Sequence, residues 1–183
     1  MKISILSGKG GVGKTTIASS LVELDNGITL GTEIGVVKDL PGKLINHLRE
    51  NGREFNSDEQ LIISDESTGS ESAIISSIIG SDVVLVVAEP TKSGFEHLMR
   101  VVALCEQFGV FTMVCINKFD INEEMSNKIE EFVKNEGLVL VGKIQHNDVI
   151  EAIDDLKPIK DYENSKAFSS IKDMWQNIRN YIC

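Results

Sequence analysis

The sequence predicts an α/β fold in three layers, a mostly parallel sheet with helices on both faces. Three observations carry that expectation. Strand-like apolar runs alternate with helix-like runs from end to end, the pattern of parallel strands joined by helical crossovers. The run Val83-Val84-Leu85-Val86-Val87 is apolar without alternation, as a strand buried on both faces requires. Between the first strand-like run and the first helix-like run lies the glycine-rich stretch Ser7 to Thr16.

Taken in order, the first strand is expected over 2–7, around Ile3-Ser4-Ile5-Leu6, and the first helix over 14–24. A second strand follows over 28–31. The interval 34–59 is the weakest, because polar residues, Pro41 and three glycines interrupt any long pattern; a short helix within 41–50 is the one element expected there. Strand three is expected over 60–64, where Leu61-Ile62-Ile63-Ser64 runs into Asp65, and a helix over 71–80 follows it. Strand four spans 82–88 and the next helix 94–108, with Ser93 and Glu96 spaced as a capping box. Strand five spans 111–116 and its helix 122–135, with Asp120 and Glu123 again at capping-box spacing. Strand six spans 138–144, a short turn falls near 147–153, and a last helix covers 165–181. In that helix Phe168, Ile171, Met174, Trp175, Ile178, Tyr181 and Ile182 recur at helical spacing. Its polar face lacks the strongly basic character of an interfacial helix, so packing on the protein's own sheet is expected. Neither a repeat nor a proline- or serine-rich linker divides the chain, and one domain over 1–183 is expected.

The glycine-rich stretch carries the chemistry. Gly8, four further residues, then Gly13-Lys14-Thr15 is the P-loop spacing. Bare backbone can approach phosphates, and successive N–H groups can turn inward as an anion nest. The following helix brings its positive end to the same point. Gly8, Gly10, Gly11, Val12, Gly13, Lys14, Thr15 and Thr16 are therefore candidate nucleotide-binding residues. Lys14 can reach the β- and γ-phosphates, and the Thr15 hydroxyl can ligate Mg²⁺. The fold so marked is that of the P-loop NTPases.

Lys9, just after the first glycine, completes KGGVGKT. This resembles the deviant Walker A motif of the MinD/ParA family of dimerising ATPases. The resemblance implies that Lys9 acts across a dimer interface on the partner copy's nucleotide. In a doubly wound sheet, ligands sit beyond the carboxyl ends of the strands. After strand two, Gly31-Thr32-Glu33-Ile34-Gly35 stands where the family has Asp-x-Asp-x-Gly. Glu33 falls on the aspartate that orients the attacking water, and Gly31 replaces the first aspartate. After strand three, Asp65 resembles a Walker B carboxylate that helps hold Mg²⁺. The implied second switch, Asp-x-Pro-x-Gly, keeps Asp65 and Gly69, the latter toward the γ-phosphate, but has Ser67 for proline. Glu89-Pro90-Thr91 resembles a turn of a MinD-like subgroup that carries an inserted ferredoxin domain. That insert would lie within 36–60, which is short and lacks cysteine, so no iron–sulfur cluster is expected. Asn117-Lys118-Phe119-Asp120 resembles the base-reading loop of P-loop GTPases; the resemblance implies Asn117 near the base, while adenine is expected over guanine.

Composition narrows the partners. With 18 basic against 28 acidic residues the net charge is −10, which disfavours nucleic acid as a partner. No run approaches the roughly 18 apolar residues of a membrane span, and the opening run into strand one predicts no signal peptide. Cys105, Cys115 and Cys183 form no CxxC pair and suit a reducing cytoplasm; the first two are expected as core thiols. His47, His97 and His146 show no metal-ligand spacing. The resemblance implies a cytoplasmic, Mg²⁺- and ATP-dependent homodimeric switch with slow hydrolysis, acting on a partner protein. A nucleotide-binding regulatory module with little or no hydrolysis is the alternative, favoured by Gly31 and Glu33 in the first switch.

Overall fold

The computed structural model describes residues 2–7, 11–25, 28–29, 62–65, 71–146 and 165–182. Its strands are β1 (Lys2–Leu6), β2 (Ile28–Thr29), β3 (Ile62–Asp65), β4 (Val83–Ala88), β5 (Phe111–Asn117) and β6 (Val139–Ile144). Its helices are α1 (Lys14–Asp25), α2 (Glu71–Ile79), α3 (Lys92–Gln107), α4 (Glu123–Asn135) and α5 (Lys166–Ile182), with a 3-10 turn at Phe119–Ile121. Every expected strand is present, and five of the expected helices are present within two residues at each end. The helix expected within 41–50 and the turn near 147–153 lie outside the described residues, as do His47 and Cys183.

The six strands form one sheet in the order β2-β3-β1-β4-β5-β6, and each described pairing is parallel. β1 therefore sits between β3 and β4. The chain departs from β1 toward β2 on one side and continues from β4 to β6 on the other. A crevice opens beyond the carboxyl ends at such a switch in direction.

Alternation along β4 divides the core in two. Val83, Leu85 and Val87 face a layer built by α1 and α5, with Ile17, Leu21, Ile171, Met174 and Trp175. Val84, Val86 and Ala88 face the opposite layer, with Ile78 of α2, Leu98 and Val101 of α3, and Ile129 and Val133 of α4. This is why the run 83–87 needed no polar alternation. The last helix lies on the sheet as its spacing implied, with Phe168 and Ile182 packed at the margin of the core, while Tyr181 is exposed. Cys105 and Cys115 are core thiols. Burial pushes the Cys115 thiol up to about 12. It also raises that of Cys105, against a smaller opposing effect of the Thr112 side chain.

Two helix starts differ from the sequence reading. The N-cap of α3 is Thr91, whose hydroxyl accepts from the Gly94 N–H at 3.0 Å. Ser93 lies inside the helix. The reason is a close approach: a Cβ on Gly94 would come within 2.2 Å of the Glu89 carbonyl oxygen, so the first turn closes against Glu89 and leaves Thr91 as its boundary. At α4 the cap is Asn122, accepting from the Met125 N–H at 3.0 Å, because Asp120 is taken into the 3-10 turn.

β6 contains a bulge. Leu140 pairs with Val114 and Gly142 with Cys115, leaving Val141 as an extra residue; bulges in parallel pairs are uncommon. The Val141 carbonyl accepts from Asn177 Nδ2 of α5 at 2.9 Å. Val141 is in the α5-side core, and a Cβ on Gly142 would meet Met174 of α5 at 2.8 Å. Two successive positions thus turn toward α5. Lys143 is thereby sent to the other side, where its Nζ bonds Glu130 of α4 at 2.8 Å and lies over the Phe119 ring. Regular alternation through Val141 would have put Lys143 on the face of Val139 and Val141.

Candidate functional site

The carboxyl end of β1 leads through buried Ser7 to the described part of the loop, Gly11-Val12-Gly13, and then directly into α1. Gly11 and Gly13 hold positive φ, +78° and +86°, a conformation that costs glycine little and an L side chain much. The Gly13 carbonyl accepts the first helical bond, from the Ile17 N–H at 3.0 Å. Lys14 opens the helix with 7% of its surface exposed, and Thr15 beside it is exposed. Thr16 is half-buried on the first turn, its carbonyl accepting from the Ser20 hydroxyl. One strand away, the register puts Asp65 opposite Ile5 at the end of β3. Gly11, Val12, Gly13, Lys14, Thr15 and Thr16 are brought together here, with Asp65 on the neighbouring strand. Gly8, Lys9, Gly10, Glu33 and Gly69 lie outside the described residues.

Asn117, the last residue of β5, reaches over the end of β4 to this loop. Its Nδ2 donates to the Val12 carbonyl at 2.8 Å, and its Oδ1 accepts from the Lys118 N–H at 3.0 Å. Lys118 takes a left-handed backbone conformation, φ 56°. Its ammonium lies 3.4 Å from Glu89 Oε1, both side chains largely covered. Asp120 accepts from the His146 N–H at 2.6 Å, tying the turn after β5 to the exit of β6. Slight burial works to raise the Asp120 carboxyl. The His146 N–H, Asp120's own N–H, the Gln145 side chain and the His146 ring outweigh that and hold it below the usual value. These links escaped the sequence reading, although the Asn117-to-Asp120 motif marked the segment that makes them.

Chemically, glycine backbone at positive φ, a helix N-terminus and a lysine at one point are parts from which an anion site can be built. Among the described residues, a Cβ on Gly11 would meet nothing within 4 Å.

No family model matches the chain. An uncharacterized protein of Methanocaldococcus jannaschii is 26% identical over 155 residues, covering 82% of this chain and 50% of the relative. A second from the same organism is 21% identical over 101 residues, or 37% of its length. The chain thus spans half or less of the curated relatives it matches. Among solved structures, the MinD cell division protein of Aquifex aeolicus superposes with a TM-score of 0.73 at 21% identity, over 98% of this chain and 96% of that one. The septum site-determining protein MinD of Pyrococcus horikoshii, complexed with Mg-ADP, gives 0.74 at 16% identity, over 97% and 95%. A ParA family ATPase from Chlorobium tepidum gives 0.73 at 13%, over 96% and 98%. The strand order and the loop between β1 and α1 are those of a P-loop NTPase fold. Within that class, the fold is of the MinD/ParA ATPase type.

Proposed function

We propose that this chain is an ATP-binding, Mg²⁺-dependent molecular switch that hydrolyses ATP slowly, pairs with a second copy when ATP is bound, and acts on a partner protein. One observation carries the reading: Gly11 and Gly13 at positive φ lead directly into Lys14 at the head of α1. Support comes from the fold, whose neighbours include a MinD complexed with Mg-ADP.

The residues present suit such a ligand. The Gly10-to-Thr16 backbone and Lys14 would hold the phosphates, with Gly69 toward the γ-phosphate. Thr15 and Asp65, a hydroxyl and a carboxylate on adjacent elements, match the oxygen ligands that Mg²⁺ takes; the ion would supply charge compensation. Lys9 would act on the second copy's nucleotide, and Glu33 would orient water. Asn117 belongs to the site, and Asp120, already engaged by His146, favours adenine over guanine. Gly31 and Glu33 in the first switch favour a second reading, a regulatory nucleotide-binding module without appreciable turnover. Phosphate release under saturating ATP separates the two.

Calorimetry on Lys14→Ala tests the central claim. ATP binding is expected to be lost with the thermal transition retained, since Lys14 serves phosphate charge and not the core. Unchanged affinity overturns it.

A further inference from the structure

We infer that α2 is hinged at its carboxyl end: the corner 77–82 is locked to β1 by a chain of serine hydroxyls, and α2 answers the nucleotide by swinging its amino end about that lock. The inference deepens the proposed function and rests on it. β1 leads toward the phosphate loop, and α2 begins at Glu71, two residues after Gly69, the glycine proposed to lie toward the γ-phosphate. The other end of α2 returns to the sheet through Gly80-Ser81-Asp82 and enters β4, which pairs with β1. Ser4 is fully buried in the middle of β1. Ile3 and Ile5 belong to the α1 and α5 side of the core, so alternation sends Ser4 to the side of α2.

Ser81 Oγ lies 2.5 Å from Ser4 Oγ and 2.6 Å from the Ser77 carbonyl oxygen. A hydroxyl has one proton to give and a carbonyl none, so both bonds form when Ser4 donates to Ser81 and Ser81 donates to Ser77. The last carbonyls of a helix need partners from outside its ladder. The Ser81 N–H, which would serve Ser77 in a continuing helix, goes to the Ile78 carbonyl at 3.1 Å, and the hydroxyl takes its place. Beside this chain Lys2 and Asp82 exchange two bonds. The Lys2 N–H donates to Asp82 Oδ2 at 2.7 Å, and the Asp82 N–H donates to the Lys2 carbonyl at 3.0 Å. Burial along α2 is graded in the same sense. Ser77 and Ile78 are fully buried, the residues from Ala73 to Ser76 are half-buried, and Ser72 is exposed. Local stability follows buried contacts and protected hydrogen bonds, so the carboxyl end is the fixed one. With nine residues, α2 is about 13 Å long, and a swing of about 10° about that end carries its amino end about 2 Å.

Distances between spin labels show which end moves. Labels at Ser72→Cys or Ile79→Cys are each paired with Ala103→Cys on α3, all exposed positions, in a chain carrying Cys183→Ser. Cys105 and Cys115 are buried and stay unlabelled. Each chain is saturated with Mg·ADP, or with Mg²⁺ and a non-hydrolysable ATP analogue. The distance from position 72 should shift by about 2 Å or more between the two states, and the distance from position 79 should hold. Equal shifts at both ends, a shift at 79 alone, or no shift at either overturns the inference. Ser81→Ala, outside the nucleotide site, should bind both nucleotides as the parent does and release the corner, so that position 79 shifts as well. If position 79 still holds in that variant, the hydroxyl chain is not the lock. The parent distances decide by themselves should Ser81→Ala fail to fold. Calorimetry on the unlabelled parent keeps the two readings apart. If it binds neither nucleotide, the phosphate reading itself fails; if it binds both and α2 stays still, only the hinge falls.

Discussion

Asp120 ties the turn after β5 to the exit of β6 through one carboxylate. Its oxygen accepts from the His146 N–H, and its carboxyl is held below the usual value. A group whose pKa is depressed by folding stabilises the folded state fully above its unfolded pKa, about 3.9 for aspartate, and loses that contribution as pH falls through the folded value. Asp120→Asn should therefore differ from the parent chain most near neutral pH. The stability difference should begin to shrink as pH falls below about 3.9 and vanish once the folded carboxyl, whose pKa lies lower still, is protonated too. Urea unfolding at pH 7 and pH 3 measures it, and a difference that persists undiminished at pH 3 refutes the ionic origin. The P-loop glycines and Lys14 were legible because their spacing is local. Asn117 was legible only as a motif member. Its contact with Val12 spans 105 residues, and no local pattern encodes a pairing at that range.

Elements were read well where periodicity speaks and poorly where several residues compete for one role. The strands follow from apolar runs, and α5 from its repeating apolar face. Thr91 and Ser93 are both capable caps. The choice between them goes with the backbone path of the turn, where Gly94 closes on the Glu89 carbonyl and donates to Thr91, and residue type alone does not announce that path. Thr91→Ala should cost about 0.5–2 kcal/mol, the usual loss for an N-cap. Ser93→Ala, within the first turn, should stay within about 0.5 kcal/mol. Chemical denaturation of the pair decides, and a larger loss for Ser93 would return the cap to the capping-box reading. The β6 bulge was illegible for a similar reason: an unpaired Val141 is visible only once β5 is alongside.

For the whole molecule, two-sided burial was evident from the run at 83–87, whereas the strand order was not. Nothing local states that β1 lies between β3 and β4. That order brings the P-loop, Asp65 and the ends of β4 to β6 to one edge of the sheet. There the exits of β1, β4, β5 and β6 are chained by Asn117, Lys118 and Asp120. Pairing of two copies across this edge is part of the proposed function. Lys9→Ala should still bind ATP, because the nest and Lys14 are untouched, but should remain monomeric with it. Light scattering with ATP measures this, and a mutant that pairs like the parent removes Lys9 from the interface.

The extra residue in β6 gives the strand slack of one in a single direction. Val141 has no ladder partner, so a chain lacking it can run as a regular strand. Gly142 still meets Cys115 and Ile144 still meets Asn117, which keeps the next loop under Asp120. A chain gaining one residue there has no second bulge to absorb it, and Gln145 and His146 would be carried past their partner. Deletion of Val141 should thus lower the melting temperature through the lost core side chain yet leave a cooperative transition. An alanine inserted after Val141 should abolish that transition. The opposite ranking in thermal melts would show that β6 is measured by its contents and not by its length.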